Sequence, residues 1–227
     1  MLGSMKLYTY FRSSASFRVR IALQLKGLGY EYVPVNLLSG AQLETDFAAQ
    51  QGDALVPRLE TEGGQLLSQS LAIMEYLEES HPGTHALLPG NALTRAKVRG
   101  LAQMVACEIH PLNNLRVLKY LVRKAGLSDE AKNDWYHHWV RTGLEAFERQ
   151  LALLAAERAR DGLTPSVYCW GDSPTLADCC LVPQIFNGQR FNVNLDGLPL
   201  TMAAFNACMA LPAFQKAQPS ACPDAQA

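Results

Sequence analysis

The sequence has no long apolar run, no block of like charge and no paired cysteine motif. Each absence removes a class of function. No stretch approaches the ~20 apolar residues that a membrane-spanning helix needs, so a bilayer is not an expected partner. Lysine and arginine number 20 against 21 acidic residues, for a formal net charge of −1. Without a basic stripe, neither nucleic acid nor an anionic membrane surface is expected to be the main partner. The cysteines, Cys107, Cys169, Cys179, Cys180, Cys208 and Cys222, include no C-x-x-C pair. No zinc site, other metal centre or redox dithiol is therefore indicated. Free thiols fit a reducing, cytoplasmic compartment, and Cys179–Cys180 in an apolar run reads as core packing. No basic segment followed by an apolar one opens the chain, so no secretory leader is expected. Met1-Leu2-Gly3-Ser4 stands before a second methionine, Met5, and reads as an expression-vector scar.

What is present is ordinary globular composition, 48% apolar and 18% charged over 227 residues. That length suits one large domain or two small ones. Lys6 to Tyr10 is a short β-rich run, and a helix is expected from near Ser16 because Phe17, Ile21, Leu25 and Leu28 recur at helical spacing. Gly27 and Gly29 supply a stop, and Tyr30 to Leu37 reads as a second strand. The two strands of such a βαβ unit should be parallel. A short helix is expected near Gln42 to Gln50. Leu55–Glu60 and Gln65–Leu67 read as strands joined by a turn at Glu62-Gly63-Gly64. Ser68-Gln69-Ser70 opens a helix with Leu71, Met74 and Leu77 on one face. The order is that of a thioredoxin-like domain, placed at residues 5–86.

From His81 to Thr94, prolines and glycines mark a linker, and beyond it the patterns are helical. Residues 91–227 are expected to form an all-helical domain. Arg95 to Arg123 repeats Val98, Leu101, Val105, Ile109 and Leu112, with a kink due at Pro111. Ser128 to about Arg158 reads as a second long helix. Ser173-Pro174-Thr175-Leu176-Ala177-Asp178 reads as a capping-box-like start for a third, with Asp in place of the more usual Glu or Gln. Short helices should fill Leu200 to Gln215, and residues after Pro219 read as a frayed tail.

The loop between the first strand and first helix carries the most chemistry. It runs Arg12-Ser13-Ser14-Ala15-Ser16-Phe17-Arg18-Val19-Arg20. A strand end that feeds a helix start favours an anion, and a serine hydroxyl there can donate to a bound thiolate. On pattern alone, caps and turns are the plainer reading of these serines. His110 before Pro111 is by itself more often structural than catalytic. His137-His138 diverge on a helix and make no metal pair.

This segment resembles the signature S-S-C-S-W-R-V-R-I-A-L of the zeta class of glutathione transferases, which includes maleylacetoacetate isomerases; maleylpyruvate isomerases are similar. Leu55-Val56-Pro57, Gln69-Ser70-Leu71-Ala72-Ile73, Ile109-His110-Pro111-Leu112-Asn113-Asn114 and Arg190-Phe191-Asn192-Val193 match further family motifs in order. The resemblance covers nearly the whole chain from Met5. It implies a thioredoxin-like domain followed by a helical domain, glutathione as cofactor and a C2 homodimer. The implied reaction is cis–trans isomerisation of a dicarboxylic keto acid, maleylacetoacetate in tyrosine breakdown or maleylpyruvate in aromatic-acid breakdown. A general conjugating transferase and a non-catalytic binding protein on the same fold are the alternatives.

By the same resemblance, Ser13 contacts the glutathione sulfur, with Ser14 and the Ala15 amide beside it. Gln42 lies near the tripeptide. Val56 pairs its backbone with the cysteinyl unit, and Pro57 is cis. Gln69 and Ser70 hold the γ-glutamyl carboxylate, and His110 and Asn114 reach the cleft. Arg12, Arg116 and Arg190 are implied as clamps for substrate carboxylates, a task suited to the guanidinium fork. Arg18 and Arg20 read as structural. The chain departs from the family at Ala15, where cysteine is common, and at Ala49-Gln50-Gln51-Gly52, where asparagine-proline is usual.

Overall fold

Side chains of the first strand alternate in burial, Lys6 and Tyr8 half-buried, Leu7 and Thr9 buried. That is the period of a strand with one face on a core. This strand, β1 (Lys6–Thr9), is one of two inner members of a sheet that, among the described residues, has four strands, with β2 (Glu31–Pro34), β3 (Arg58–Glu60) and β4 (Leu66–Ser68), in the order β2-β1-β3-β4. β1 runs parallel to β2, pairing Leu7 with Tyr32, and antiparallel to β3, pairing Leu7 with Leu59. β3 and β4 form the expected hairpin, Leu59 opposite Leu67. The computed structural model describes residues 3–35 and 55–225. The helix expected at 42–50, Gln42 itself and the 49–52 loop lie outside the described residues.

The crossover helix α1 (Ser14–Lys26) starts two residues earlier than the apolar spacing suggests, because the Ser13 side chain caps it. It ends at Gly27, whose φ of 65° is a left-handed conformation that glycine adopts without penalty. The Gly27 and Leu28 amides close the last turn on Gln24 O and Leu23 O. Burial runs almost all round α1, including Arg18, Arg20 and Lys26, rather than along a single stripe. The reason is that α1 packs against both α2 (Ser70–Ser80) and a helix from the far end of the chain.

That distant helix corrects the expected domain boundary. Residues 1–87 and 210–227 form one compact unit and 88–209 the other. The last residues therefore belong with the sheet, not with the helical unit. Nor is the tail frayed. A short helix (Pro212–Ala217) is followed by two 3-10 turns (Pro219–Ala221 and Pro223–Ala225), with Phe214, Ala217, Pro219 and Cys222 buried.

The second unit holds α3 (Ala92–Gln103), α4 (Leu115–Arg123), α5 (Asp129–Arg160), α6 (Leu176–Arg190) and α7 (Pro199–Met209). The single kinked helix expected over 95–123 is instead four segments. After α3 comes a π turn (Met104–Ile109), then a 3-10 turn (His110–Asn113), then α4. Proline at 111 has no N–H for a helical bond and its ring crowds the preceding turn. The backbone widens ahead of it, so that the His110 amide reaches Val105 O rather than an acceptor four residues back. Asn114 then takes an extended conformation (φ −66°, ψ 144°) and caps α4 afresh. Asp178, three residues into α6, accepts from the Thr175 amide at 2.8 Å, the back-reaching arm of the expected capping box. Among the described residues, no helix is long and apolar enough to cross a membrane.

Candidate active site

In the first unit the candidate residues gather at two helix starts. Ser13 sits at the N-cap of α1, its own amide tied to Tyr10 O at 2.9 Å. Its Oγ accepts from the Ser16 amide at 3.2 Å. A hydroxyl that accepts through its oxygen still has its hydrogen to donate, so capping and thiolate contact are compatible in one side chain. Ser14 is buried and Ala15 half-buried in the first turn, whose amides lack intrahelical acceptors. Arg12 is exposed, its guanidinium 4.9 Å from the Phe11 ring centroid.

The second helix start is that of α2. Gln69 precedes it at φ 67° and ψ 117°, a positive φ that a non-glycine residue rarely holds. Its side chain is exposed, while Ser70 is buried. Ser70 Oγ accepts from Arg18 Nη1 at 3.1 Å. Neither α1 nor α2 has an acidic residue in its first turn, and a positive helix end of that kind suits an anion. The Val56–Pro57 peptide is cis, as the resemblance implied, with Val56 half-buried and Pro57 buried just before β3.

In the second unit, His110 Nε2 lies 3.3 Å from Asn114 Nδ2. Asn114 Oδ1 is committed to the Arg116 amide at 3.0 Å, capping α4. The Asn114 amide nitrogen is thus the donor to His110 Nε2, which places the ring proton on Nδ1. Four residues apart, the two would share a face of a continuous helix, but no continuous helix joins them. They meet across the break, because the chain turns at Asn113–Asn114. Arg116 is exposed in the first turn of α4.

Arg190 is exposed in the last turn of α6, where a cation complements the helix dipole. Its guanidinium lies 4.7 Å from the Phe191 ring centroid, and the Tyr136 ring on α5 packs 4.5 Å from the same ring. The Phe191 carbonyl meets His137 Nε2 at 2.7 Å. Burial pushes the Tyr136 hydroxyl up, with the Arg190 charge pulling weakly the other way, so it stays protonated. It is buried without a hydrogen-bond partner among the described residues.

Two side chains here escaped the sequence reading. Arg18 reaches Ser70 and so supports a candidate binding residue, although its pattern suggested a structural role; its position one turn beyond Ser14 was the available signal. Tyr136 stands beside Arg190 through Phe191, and nothing in its local sequence marks it. The buried thiols of Cys169, Cys208 and Cys222 are pushed up, chiefly by burial. None of these three supplies a thiolate at neutral pH.

Residues 7–85 match the glutathione S-transferase N-terminal domain family. A maleylpyruvate isomerase from a Ralstonia species is 48% identical over 97% of this chain and 99% of its own length. A maleylacetoacetate isomerase from Pseudomonas aeruginosa is 44% identical over 98% of this chain and 100% of its own. The crystal structure of maleylacetoacetate isomerase from Anaeromyxobacter dehalogenans 2CP-1, with glutathione bound in its active site, superposes with a TM-score of 0.84. It is 40% identical and covers 99% of this chain and 100% of its own. The chain belongs to the glutathione transferase family, in the zeta class that holds the maleylacetoacetate and maleylpyruvate isomerases.

Proposed function

We propose that this protein is a glutathione-dependent cis–trans isomerase of a dicarboxylic keto acid, with maleylacetoacetate as its substrate. The observation that carries the reading is Ser13, whose oxygen caps α1 while its proton remains free to donate at the end of β1. The residues fit glutathione chemically. Two helix starts with no acidic residue in the first turn suit a thiolate and a carboxylate, and three of the chain's own thiols are held neutral. What glutathione supplies when bound is a thiol that adds to and leaves an activated alkene, with rotation about a single bond in between.

The chain's own part is binding and charge. Ser13 and the α1 start, with Ser14 and the Ala15 amide, hold the sulfur as thiolate. The Val56 backbone meets the cysteinyl unit, and Gln42 lies near the tripeptide. Gln69 and Ser70 at the α2 start hold the γ-glutamyl carboxylate. Arg190, with Arg12 and Arg116, holds substrate carboxylates and stabilises negative charge that develops on the keto acid. His110 and Asn114 complete the set as a polar pair. The protein works in the cytoplasm as a C2 homodimer, the commonest closed assembly. A second reading, isomerisation of maleylpyruvate, rests on the Ralstonia relative and uses the same groups.

The test offers maleylacetoacetate and maleylpyruvate in parallel, with and without glutathione. Ser13→Ala is expected to lose about a hundredfold or more in kcat, the scale for removing one donor to a developing anion. Arg190→Ala is expected to raise the KM of the keto acid about tenfold, as befits one charge-assisted hydrogen bond. Turnover of neither acid, with glutathione still bound, rules out the isomerase and leaves a conjugating transferase or a binding protein.

A further inference from the structure

The loop that carries Arg12 and Ser13 is tied down from outside its own sequence neighbourhood. Phe11 is the pivot. Its amide donates to Asp224 Oδ2 at 3.1 Å, 213 residues away along the chain. Its carbonyl accepts from Arg20 Nη2 at 3.0 Å. The other Asp224 oxygen accepts from the Tyr32 hydroxyl on β2. Arg20, buried, spends its remaining donors on the same region. Nη1 reaches Thr9 Oγ1 at 3.1 Å and Tyr10 O at 3.4 Å, and Nε reaches Ala217 O at 2.9 Å. Tyr10 O is also the acceptor for the Ser13 amide.

Both peptide groups of Phe11 are therefore held by groups that lie elsewhere, one from the C-terminal tail and one from α1. Arg20 grips the tail and the loop together. Exposed loops carry low local stability unless such contacts hold them. Here the contacts end one residue before Arg12 and two before Ser13. The tail has little else to do in these positions: Pro223–Ala225 is a single 3-10 turn with no buried residue.

We propose that Asp224 is a positioning residue for the glutathione site: the C-terminal turn clamps the β1–α1 loop through Phe11 and so fixes where the Ser13 hydroxyl stands. This rests on the assignment of Ser13 to the thiol. The clamp acts before binding. It raises the fraction of molecules whose loop is already in the binding geometry, and apparent affinity scales with that fraction. Loss of the clamp should show in the KM for glutathione more than in kcat at saturating glutathione.

The experiment uses the full chain with Asp224→Ala, Asp224→Asn and Tyr32→Phe. Amide hydrogen exchange is followed at Ser13 and Ser16, whose acceptors are Tyr10 O and Ser13 Oγ and not Asp224 itself. Kinetics with varied glutathione run alongside. Asp224→Ala is expected to speed exchange at both amides and raise the glutathione KM about tenfold, with kcat changed less than twofold. Asp224→Asn keeps one acceptor oxygen and should fall between wild type and alanine. Tyr32→Phe should shift both readouts the same way by less. Unchanged exchange at Ser13 and Ser16 overturns the clamp. Faster exchange with an unchanged glutathione KM overturns its bearing on the site, as does a fall confined to kcat. A wild-type protein that binds no glutathione overturns the function proposed above, and exchange at the two amides then decides the clamp alone.

Discussion

Helix α1 of the first unit and helix α6 of the second both bury charge, and they settle it in opposite ways. On α1 the Lys26 ammonium, its side chain wholly buried, donates to Glu78 at 2.8 Å, Thr84 Oγ1 at 3.1 Å and the His85 carbonyl at 2.9 Å. Glu78 in turn accepts from the Leu87 amide at 2.9 Å. Arg20 likewise collects Thr9, Tyr10, Phe11 and Ala217. On α6 the buried Asp178 takes the Cys169 amide at 2.9 Å on one oxygen. The Thr175 amide and hydroxyl, both at 2.8 Å, share the other. In both places a buried charge is tolerated because its hydrogen-bond capacity is filled. The reach differs. Lys26 binds segments 52 to 59 residues away, and Arg20 joins Ala217, 197 residues away, to partners nine to eleven residues back, whereas the amide partners of Asp178 lie within nine and its farthest partner is the Cys208 thiol, 30 residues on. Cations on α1 assemble the unit, and the anion on α6 fixes one helix start and the loop before it.

The comparison breaks most visibly at Lys26. Lys26→Met fills the space but takes the ammonium away from the buried Glu78 carboxylate, which keeps the Leu87 amide as a donor. Removing one partner of a buried pair costs about 3–5 kcal/mol. A loss of unfolding free energy in urea below a third of that would mean water reaches Glu78, and that the pair does not hold the unit. Amide exchange should rise across α1, α2 and the 210–225 segment together, since the tie is long-range.

Asp178→Asn tests the local counterpart. An asparagine turns one acceptor into a donor, so either the Cys169 or the Thr175 amide is left facing an N–H. The expected cost is about 3 kcal/mol, from one or two unsatisfied buried groups. Exchange should rise at 166–178 and the first turn of α6 while the first unit keeps its protection. Loss of protection in both units would show that this charge, too, acts at long range.

Gly143→Ala asks how tightly the π turn is packed on α5. An added Cβ at 143 would come within 2.4 Å of Ile109 Cγ1 and 2.7 Å of its Cδ1. Overpacking of this kind costs about 1–3 kcal/mol. With Ile109→Ala, which removes both carbons, the added cost of Gly143→Ala should largely vanish if the clash is the cause, a coupling that a double-mutant cycle in urea measures.

The same contrast between local and distant ties explains what could be read from the sequence. The capping box at Thr175–Asp178, the Gly27 stop, the hairpin at 62–64 and the parallel βαβ order are set by residues close together, and each was legible. The thioredoxin-like order and the helical second half followed from them. The π turn at 104–109 was not, because its cause, Pro111, acts backwards on a stretch whose apolar spacing reads as continuous helix. Nor was the ordered tail. Its anchor is a lone aspartate, Asp224, whose partners Phe11 and Tyr32 lie at the other end of the chain. Among candidate site residues, the Ser13 cap and the Ser70 helix start were visible as local signals. The support of Ser70 by Arg18, and the placing of Tyr136 beside Arg190, depend on packing that no local pattern announces.

The smallest expected effect separates capping from chemistry in the second unit. Ser128 and Asn114 perform the same structural task, each side chain accepting from an amide in the first turn of its helix, at 3.1 Å from Ala131 and 3.0 Å from Arg116. Either one changed to alanine should cost about 1 kcal/mol of stability, the usual worth of such a cap. Asn114 alone also donates to His110, and so alone fixes which ring nitrogen carries the proton. Ser128→Ala is thus the control for Asn114→Ala. If His110 serves only the fold, the two variants lose the same stability and the same small share of turnover. If the orientation of the His110 ring bears on the reaction, Asn114→Ala loses several-fold more kcat at equal stability, and Asn114→Asp, which keeps the cap oxygen but cannot donate to Nε2, loses turnover without losing the cap.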